Sequence, residues 1–343
     1  MSATAIQVGG LKLDNGLWLA PLAGVTLPPL REFFTLLGAG LTHTEMVSCM
    51  GLIRDNRKTE GMLRLLPGEG PVILQLFAGD ADTLTQGAQV ALAMNARLNK
   101  LNELNARFAA LGINMACPMP KVTKRGAGVA LMGTKTASVM VRGLKPLGLP
   151  VWVKTRKMPD DSETLEFLEE LLEAGADNIC IHGRTAAQRY EGRADRSIVA
   201  SAAARFPGKI SASGDVYGVA DVEEYLSMGC VGVMLARGAL ANPCLFPLAL
   251  RALGCRVSED LTNPTLEQRI QRLRDFGVRA EEVCGPRTAL VLLKRLTSGM
   301  FKGVSGVSEL RRRIGPASSL EEFFETLREE EARMPGKIME NSP

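Results

Sequence analysis

Short apolar or β-branched runs recur along the chain at residues 17–24, 41–48, 71–77, 112–117, 150–156, 178–184, 209–215 and 232–237, each of a length that suits a buried β-strand. Between most of them the apolar spacing lengthens to that of a helix. Over 161–174, Leu165, Leu168, Leu171 and Leu172 share one face and glutamates the other. Strand and helix alternate throughout, which argues for a parallel sheet covered by helices. Closed on itself, that sheet is a (β/α)8 TIM barrel spanning about residues 10–245, close to the ~250 residues typical of the architecture. An open doubly wound sheet is the alternative, but no G-x-G-x-x-G turn follows the first strand, as that fold's nucleotide site requires.

After Asn242 and Pro243 the pattern becomes helical alone. Pro264 suits a first helical turn, Gly285-Pro286 marks a stop and restart, and a last helix starts near Ser318-Ser319, where Glu321 and Glu322 each sit three residues on, as a capping box requires. The expected organisation is a barrel over 1–245, a smaller all-helical domain over 246–335 and a tail over 336–343. The net charge of +4 is too small to name a partner, but its distribution is uneven. Residues 269–313 hold 11 Lys/Arg against 4 acids, whereas the final helix turns acidic through Glu321, Glu322, Glu325 and Glu329 to Glu331. A basic helical block can track a phosphate backbone or simply be a solvated surface, and composition does not separate the two.

Seven cysteines occur with no C-x-x-C pair and no Cys/His cluster at zinc-like spacing, so neither a metal site nor a disulfide framework is expected, and the compartment reads as reducing. With no signal-peptide pattern and no apolar run of roughly 18 residues, the chain is expected to be soluble and cytoplasmic. Cys117 stands apart from the other six, because it closes the fourth strand and opens a basic loop with Lys121, Lys124, Arg125, Gly126 and Gly128. Barrel chemistry sits at the C-terminal ends of the strands. Those ends carry Ala23-Gly24, Glu45, Gln75, Asn114 with Cys117, Lys154, His182, Ser213-Gly214-Asp215 and Ala236-Arg237-Gly238. The ends of strands seven and eight are where barrels bind phosphate through backbone N–H groups, so a phosphorylated cofactor is expected. Lys154 adds a cation there, and His182 a donor that titrates near neutrality. His43, inside a strand, reads as a satisfied core residue.

Taken in order, these segments resemble the tRNA-dihydrouridine synthases. The likeness runs through Pro21-Leu22-Ala23-Gly24-Val25-Thr26, Thr44-Glu45-Met46, Gln75-Leu76-Phe77, Asn114-Met115-Ala116-Cys117-Pro118, Lys121 with Lys124 and Gly126-Ala127-Gly128. It continues through Val153-Lys154-Thr155-Arg156, His182-Gly183-Arg184-Thr185 with Gln188, Tyr190 and Gly192, then Gly214-Asp215 and Arg237-Gly238-Ala239. The resemblance implies FMN at the barrel mouth, reduced by NADPH and in turn reducing the C5=C6 bond of uridine in tRNA. Gln75, Lys154 and His182 would contact the isoalloxazine ring or ribityl chain, and Ala23-Gly24 would pack their backbone on the flavin. Ser213, Gly214, Asp215, Ala236 and Arg237 would hold the phosphate end. Cys117 matches the general acid that protonates C5: an ordinary thiol, with a pKa of about 8.5, is still protonated at pH 7, and serine would be far weaker.

The target uridine must be extruded from folded RNA to reach the barrel mouth, at a cost of a few kcal/mol. Asn114 would meet the substrate. The cations expected to hold the RNA are Lys121, Lys124, Arg125, Arg156, Arg184, Arg189, Lys294, Arg295, Arg311, Arg312 and Arg313, through salt-dependent phosphate contacts. A monomer with an open barrel face is expected. Departures from the family pattern are Leu27, Gly112, Ala116, Arg196 and Ser213, the last in place of a usual Asn. The rival readings are an FMN barrel oxidoreductase of the dihydroorotate or dihydropyrimidine type, acting on a free small molecule, and a non-catalytic RNA-binding protein; neither has use for both Cys117 and the basic helical block.

Overall fold

A computed structural model of the chain describes residues 5–54, 57–101, 106–304 and 306–333; the tail 336–343 lies outside them. Eight parallel strands follow one another around a barrel: β1 (Leu17–Leu19), β2 (Thr42–His43), β3 (Val72–Phe77), β4 (Ala110–Met115), β5 (Val151–Arg156), β6 (Asn178–His182), β7 (Ile210–Ser213) and β8 (Val233–Leu235). β8 pairs back with β1. The β1–β2 seam is joined by a Trp18–Leu41 bridge and by the Leu19 N–H donating to the Leu41 carbonyl at 2.9 Å. The TIM barrel expected from the alternation is therefore the observed fold, and a helical region follows it.

Most strands are shorter than the apolar runs that announced them. β1 stops at Leu19, leaving 20–24 as a loop, and the run 41–48 breaks at Thr44-Glu45-Met46 before Val47–Ser48 rejoins β3. The runs overshoot because their last residues leave the ladder at the barrel mouth and line a cleft.

The sequence pattern gave no sign of a two-stranded hairpin, Ile6–Val8 with Leu11–Leu13, that plugs the opposite end of the barrel. Val8 and Leu13 pack with Trp18, Trp152, Ile73 and Met234 inside it, and the two indole rings lie 5.0 Å apart. Trp152 Nε1–H donates to the Gly9 carbonyl at 3.0 Å. Gly9 has φ +50°, and a Cβ on it would fall 2.6 Å from that indole nitrogen, so only glycine fits this turn. His43 is a satisfied core residue, with Nδ1 2.8 Å from the Leu19 carbonyl.

The helix expected over 161–174 spans Asp161–Glu173, capped by the Asp160 carboxylate accepting the Glu163 N–H at 2.9 Å. The C-terminal region comprises Leu266–Cys284, Pro286–Met300, Val307–Ile314 and Leu320–Arg333, with Gly285 (φ +77°) separating the first two. Pro264 stays outside its helix. Thr265 is the cap, in a reciprocal box with Gln268. The last helix starts as expected, with the Ser319 hydroxyl accepting the Glu322 N–H at 3.1 Å. These helices share one apolar core with the barrel. Phe276 meets Phe33 at 5.4 Å, and Arg279 pairs with Glu32 at 2.8 Å. Among the described residues no helix is long and apolar enough to cross a membrane.

One buried ion pair ties the helix Pro28–Leu36, which follows β1, to the connection before β3. Arg31, 0% exposed, donates to Glu69 at 2.8 Å and to the carbonyls of Thr26 and Arg64 at 2.9 and 2.8 Å. Arg31→Met leaves Glu69 and two carbonyls buried without their donor, which is expected to cost about 3–5 kcal/mol. Urea unfolding of the two proteins tests this. A loss below about 1 kcal/mol would place the pair among those that contribute nothing measurable.

Candidate active site

At the C-terminal ends of the strands the loops leave a cleft of about 1070 Å³, counting its open mouth, a size that suits a cofactor-sized molecule. Asn114, Cys117, Lys154, His182, Ser213, Gly214, Asp215, Ala236, Arg237 and Ala23 all line it. Gly24 and Gln75 do not form its wall, although both were expected to contact the cofactor directly.

Gln75 acts one step back. Its Oε1 accepts from Asn114 Nδ2 at 3.0 Å, and Asn114 Oδ1 in turn accepts the N–H groups of Ala116 and Cys117 at 3.2 and 3.0 Å. This chain of buried amides sets the path by which the backbone leaves β4 and brings Cys117, half-buried, to the cleft wall. The glycines that follow have a steric reason. Val129 N–H donates to the Cys117 carbonyl at 3.1 Å, and a Cβ on Gly128 (φ +64°) would sit 2.4 Å from that oxygen.

Lys154 stands half-buried in the cleft with no carboxylate paired to it among the described residues, and burial pushes its pKa down. His182 behaves differently from the expected titrating donor. Burial first, then the charges of Lys154, Arg156, Arg184 and Arg237, lower its pKa to about 2, so the ring is neutral at physiological pH. Its Nδ1 accepts the Arg184 N–H at 3.2 Å. That leaves the proton on Nε2, which lies beside Gly214: a Cβ there would be 3.4 Å away.

The turn after β7 is left-handed at both Gly214 (φ +118°) and Asp215 (φ +47°). Tyr225 Oη donates to the Gly214 carbonyl at 2.9 Å. The Asp215 carboxylate accepts Arg184 at 2.6 Å and the Ala194 N–H at 2.8 Å, with Arg237 3.5 Å away. Burial works to raise its pKa, but the Ala194 N–H and Arg184 outweigh it and hold the group below the usual carboxylate range.

The cations expected to hold RNA divide into two sets. Arg156 and Arg184, 3% and 2% exposed, are not free to reach a phosphate backbone. Arg156 donates to the carbonyls of Ala116, Thr185 and Arg189 at 2.8, 3.2 and 2.9 Å. Arg184 donates to those of Glu191 and Gly192 at 3.0 and 2.7 Å. Lys294 binds the Gly315 and Ala317 carbonyls at 2.7 and 2.6 Å, and Arg295 binds the Gly24 carbonyl. Arg312 pairs with Glu309, and Arg313 with Glu329 and Glu330. Lys121, Lys124, Arg125, Arg189 and Arg311 are exposed, and their side chains make no hydrogen bond or ion pair among the described residues.

Two exposed tyrosines at the rim carried no role in the sequence reading. Tyr190 and Tyr217 flank the Arg237 guanidinium at 5.1 and 5.7 Å, and Tyr190 also lies 5.7 Å from that of Arg156. The chain has only three tyrosines, and all three serve the ends of β6 and β7; their scarcity was the available signal. Of the departures from the family pattern, Arg196 has a clear partner set: its guanidinium stacks over Tyr225 at 5.0 Å and pairs with Asp221 at 2.5 Å.

A (β/α)8 barrel with a thiol, an unpaired amine and a neutral imidazole around one C-terminal cleft belongs to the class of barrel enzymes whose chemistry sits on the strand ends. The family profile described as "Dihydrouridine synthase (Dus)" matches residues 18–334, and the chain belongs to this family of oxidoreductases. It is similar to the probable tRNA-dihydrouridine synthase of Treponema pallidum (strain Nichols), 29% identical over 342 residues, covering 94% of this chain and 95% of the relative. The probable tRNA-dihydrouridine synthase of Aquifex aeolicus (strain VF5) is 30% identical over 92% of this chain and 96% of its own length. tRNA-dihydrouridine synthase B of Pasteurella multocida (strain Pm70) is 28% identical, covering 79% and 81% respectively.

The neutral His182 has a measurable consequence. Its pKa is about 2 in the folded state against 6.5 for a free imidazole, so between those values the unfolded chain binds one more proton. Stability from this group is complete above about pH 6.5 and falls as pH drops below it, by up to ~1.4 kcal/mol per pH unit. His182→Asn is expected to flatten the pH dependence of the unfolding free energy by about that slope between about pH 6 and 4.5. Parallel slopes in urea titrations would mean that the folded protein carries the ring charged.

Proposed function

We propose that the chain is a tRNA-dihydrouridine synthase that uses FMN, reduced by NADPH, with Cys117 as the acid that protonates C5 of uracil. The observation that carries this reading is the convergence of Cys117, Lys154 and His182 on one cleft in a chain of this family.

The residues fit a flavin. The cleft is floored by small residues and closely packed turns; at Gly238, for example, a Cβ would come 1.9 Å from the Val216 carbonyl oxygen. Lys154 offers an unpaired ammonium, and the Nε2–H of His182 a neutral donor. The turns at Gly214-Asp215 and Ala236-Arg237 take the phosphate. There Arg237 supplies the positive charge, and the Asp215 carboxylate is already neutralised by Arg184. Bound FMN would supply hydride for C6 of the uracil ring.

The chain's own residues do the rest. As negative charge develops towards C5 and the neighbouring carbonyl, the Cys117 Sγ–H gives its proton to C5, and the thiolate is reprotonated from solvent before the next turnover. Asn114, fixed by Gln75, keeps the thiol-bearing loop in place. Lys121, Lys124 and Arg125 follow the thiol directly, so a tRNA whose uridine enters the cleft lays its backbone across exposed, unpaired cations.

Cys117→Ala is expected to retain the yellow flavin and tRNA affinity while dihydrouridine formation falls by at least about 100-fold, the scale of general acid catalysis. The direct measurement is anaerobic: flavin absorbance bleached by NADPH should return on adding unmodified tRNA in the parent and stay bleached in the variant. Equal reoxidation would remove Cys117 from the reaction, and a parent that tRNA fails to reoxidise would favour a small-molecule oxidoreductase. Replacing Lys121 and Lys124 with alanine should weaken tRNA binding and lower the slope of log affinity against log salt by about 1.5; an unchanged slope would place both outside the RNA interface.

A further inference from the structure

The turn that follows β1 is held from two sides. Gly24 N–H donates to Glu45 Oε2 at 2.6 Å, and Glu45 is itself buried at the end of β2. The Gly24 carbonyl accepts from Arg295 Nη1, on the Pro286–Met300 helix of the C-terminal region. Gly24 is left-handed (φ +68°), and the guanidinium lies so close that a Cβ there would meet Nη1 at 3.4 Å. The same helix touches the loop after β8. Gly299 backs onto the short helix Arg237–Ala241, where a Cβ would fall 1.9 Å from the Leu240 carbonyl oxygen. Lys294, beside Arg295, anchors the helix to the carbonyls of Gly315 and Ala317. One helix therefore braces the loops at both β1 and β8, which are neighbours in the barrel and border the cleft from adjoining strands.

We infer that Arg295 is a positioning residue for the cofactor and not an RNA contact, so that the C-terminal helices form part of the flavin site as well as a platform for nucleic acid. The inference rests on the proposed FMN site. Its physical content is preorganisation: a residue whose N–H is gripped by a carboxylate and whose carbonyl is gripped by a guanidinium has both flanking peptides fixed by charge-assisted bonds before the ligand arrives. Losing the guanidinium frees the Gly24–Val25 peptide, so that Gly24 and the Ala23 beside it can move, and the ordering cost then falls on binding.

The test compares FMN affinity, read from quenching of flavin fluorescence, with tRNA affinity at saturating FMN, for the parent, Arg295→Met, Arg295→Lys and Glu45→Gln. Arg295→Met should weaken FMN by about tenfold, as expected for one charge-assisted bond, with Lys restoring part of the loss and tRNA affinity within about twofold of the parent. Glu45→Gln approaches the same residue, Gly24, from the barrel side and should weaken FMN by about fivefold, which keeps the inference testable should Arg295→Met fold poorly. Parental FMN affinity in the Arg295 variants overturns it, and loss of tRNA affinity in the same variants would return Arg295 to the RNA interface. A parent that binds no FMN refutes the cofactor assignment itself, a result distinct from a parent that binds and variants that match it.

Discussion

The cleft depends on a single carboxylate. Asp215 sits in a left-handed turn and gathers the Arg184 guanidinium, the Ala194 N–H and the edge of Arg237. Because Arg184 is almost fully buried, it would be an uncompensated charge without Asp215. Compensated, it reaches back to the carbonyls of Glu191 and Gly192 and folds the loop after β6 over the barrel mouth. That fold brings the Thr185 and Arg189 carbonyls within reach of Arg156, whose Nε takes the Ala116 carbonyl, one residue before the thiol. Two buried guanidinium groups thus answer the carbonyls that the ends of β4 and β6 leave unpaired, as buried backbone must be answered. The position of Cys117 is set from one side by this network and from the other by Asn114 and Gln75.

The architecture was legible because it is written in alternation, and alternation survives without knowledge of contacts. Eight apolar runs separated by helical patterns leave few closures, and β8 does pair with β1. The ends of the runs were also legible as a set, since polar and small residues at the close of so many strands fit no packing pattern. What each residue does there was less so. Arg156 and Lys121 are both cations near the thiol, yet one is locked to three carbonyls and the other is exposed and unpaired. The distinction lies in position: Arg156 ends a buried strand, where a charge must find partners, whereas Lys121 lies on an exposed one-turn helix, Pro120–Thr123. Gln75 meets the same limit, since a polar residue on a strand end can face a ligand or serve its neighbour, and its side-chain oxygen is bonded to Asn114. Arg312 and Arg313 look like free charges in a composition count, but their partners lie three residues away in one case and across a helix pair in the other. The N-terminal hairpin escaped because three-residue strands are too short to show a period.

Histidine 182 shows how a charge network decides chemistry that a residue type leaves open. As a free side chain it would titrate near neutrality. With the ring largely buried among Lys154, Arg156, Arg184 and Arg237, the protonated form is disfavoured by burial and by each of these charges, and the backbone bond to Nδ1 leaves only the Nε2–H to donate. A neutral donor cannot protonate a carbon on turnover without becoming an anion, so the ring is suited to holding a ligand and not to acid work.

That exclusion narrows the source of the proton. In the proposed reaction a hydride delivered to one carbon of an unsaturated carbonyl system pushes negative charge onto the far carbon and oxygen, and the site would both stabilise that charge and discharge it. In that reaction Lys154, half-buried and with no carboxylate paired to it among the described residues, would stabilise that charge in a cleft where a cation is screened less than in water. It is a poor choice to discharge it, because losing its proton would remove the charge on which stabilisation rests. The buried guanidinium groups do not release protons at any relevant pH. Tyr190 and Tyr217 also carry a dissociable proton at this cleft but sit exposed at the rim against Arg237, whereas Cys117 lies half-buried on the wall with no hydrogen bond at its sulfur among the described residues. The division of labour proposed between amine, imidazole and thiol then follows from burial and partnership, and the thiol's proposed role does not require it to be a strong acid, only to carry an uncommitted proton on the cleft wall.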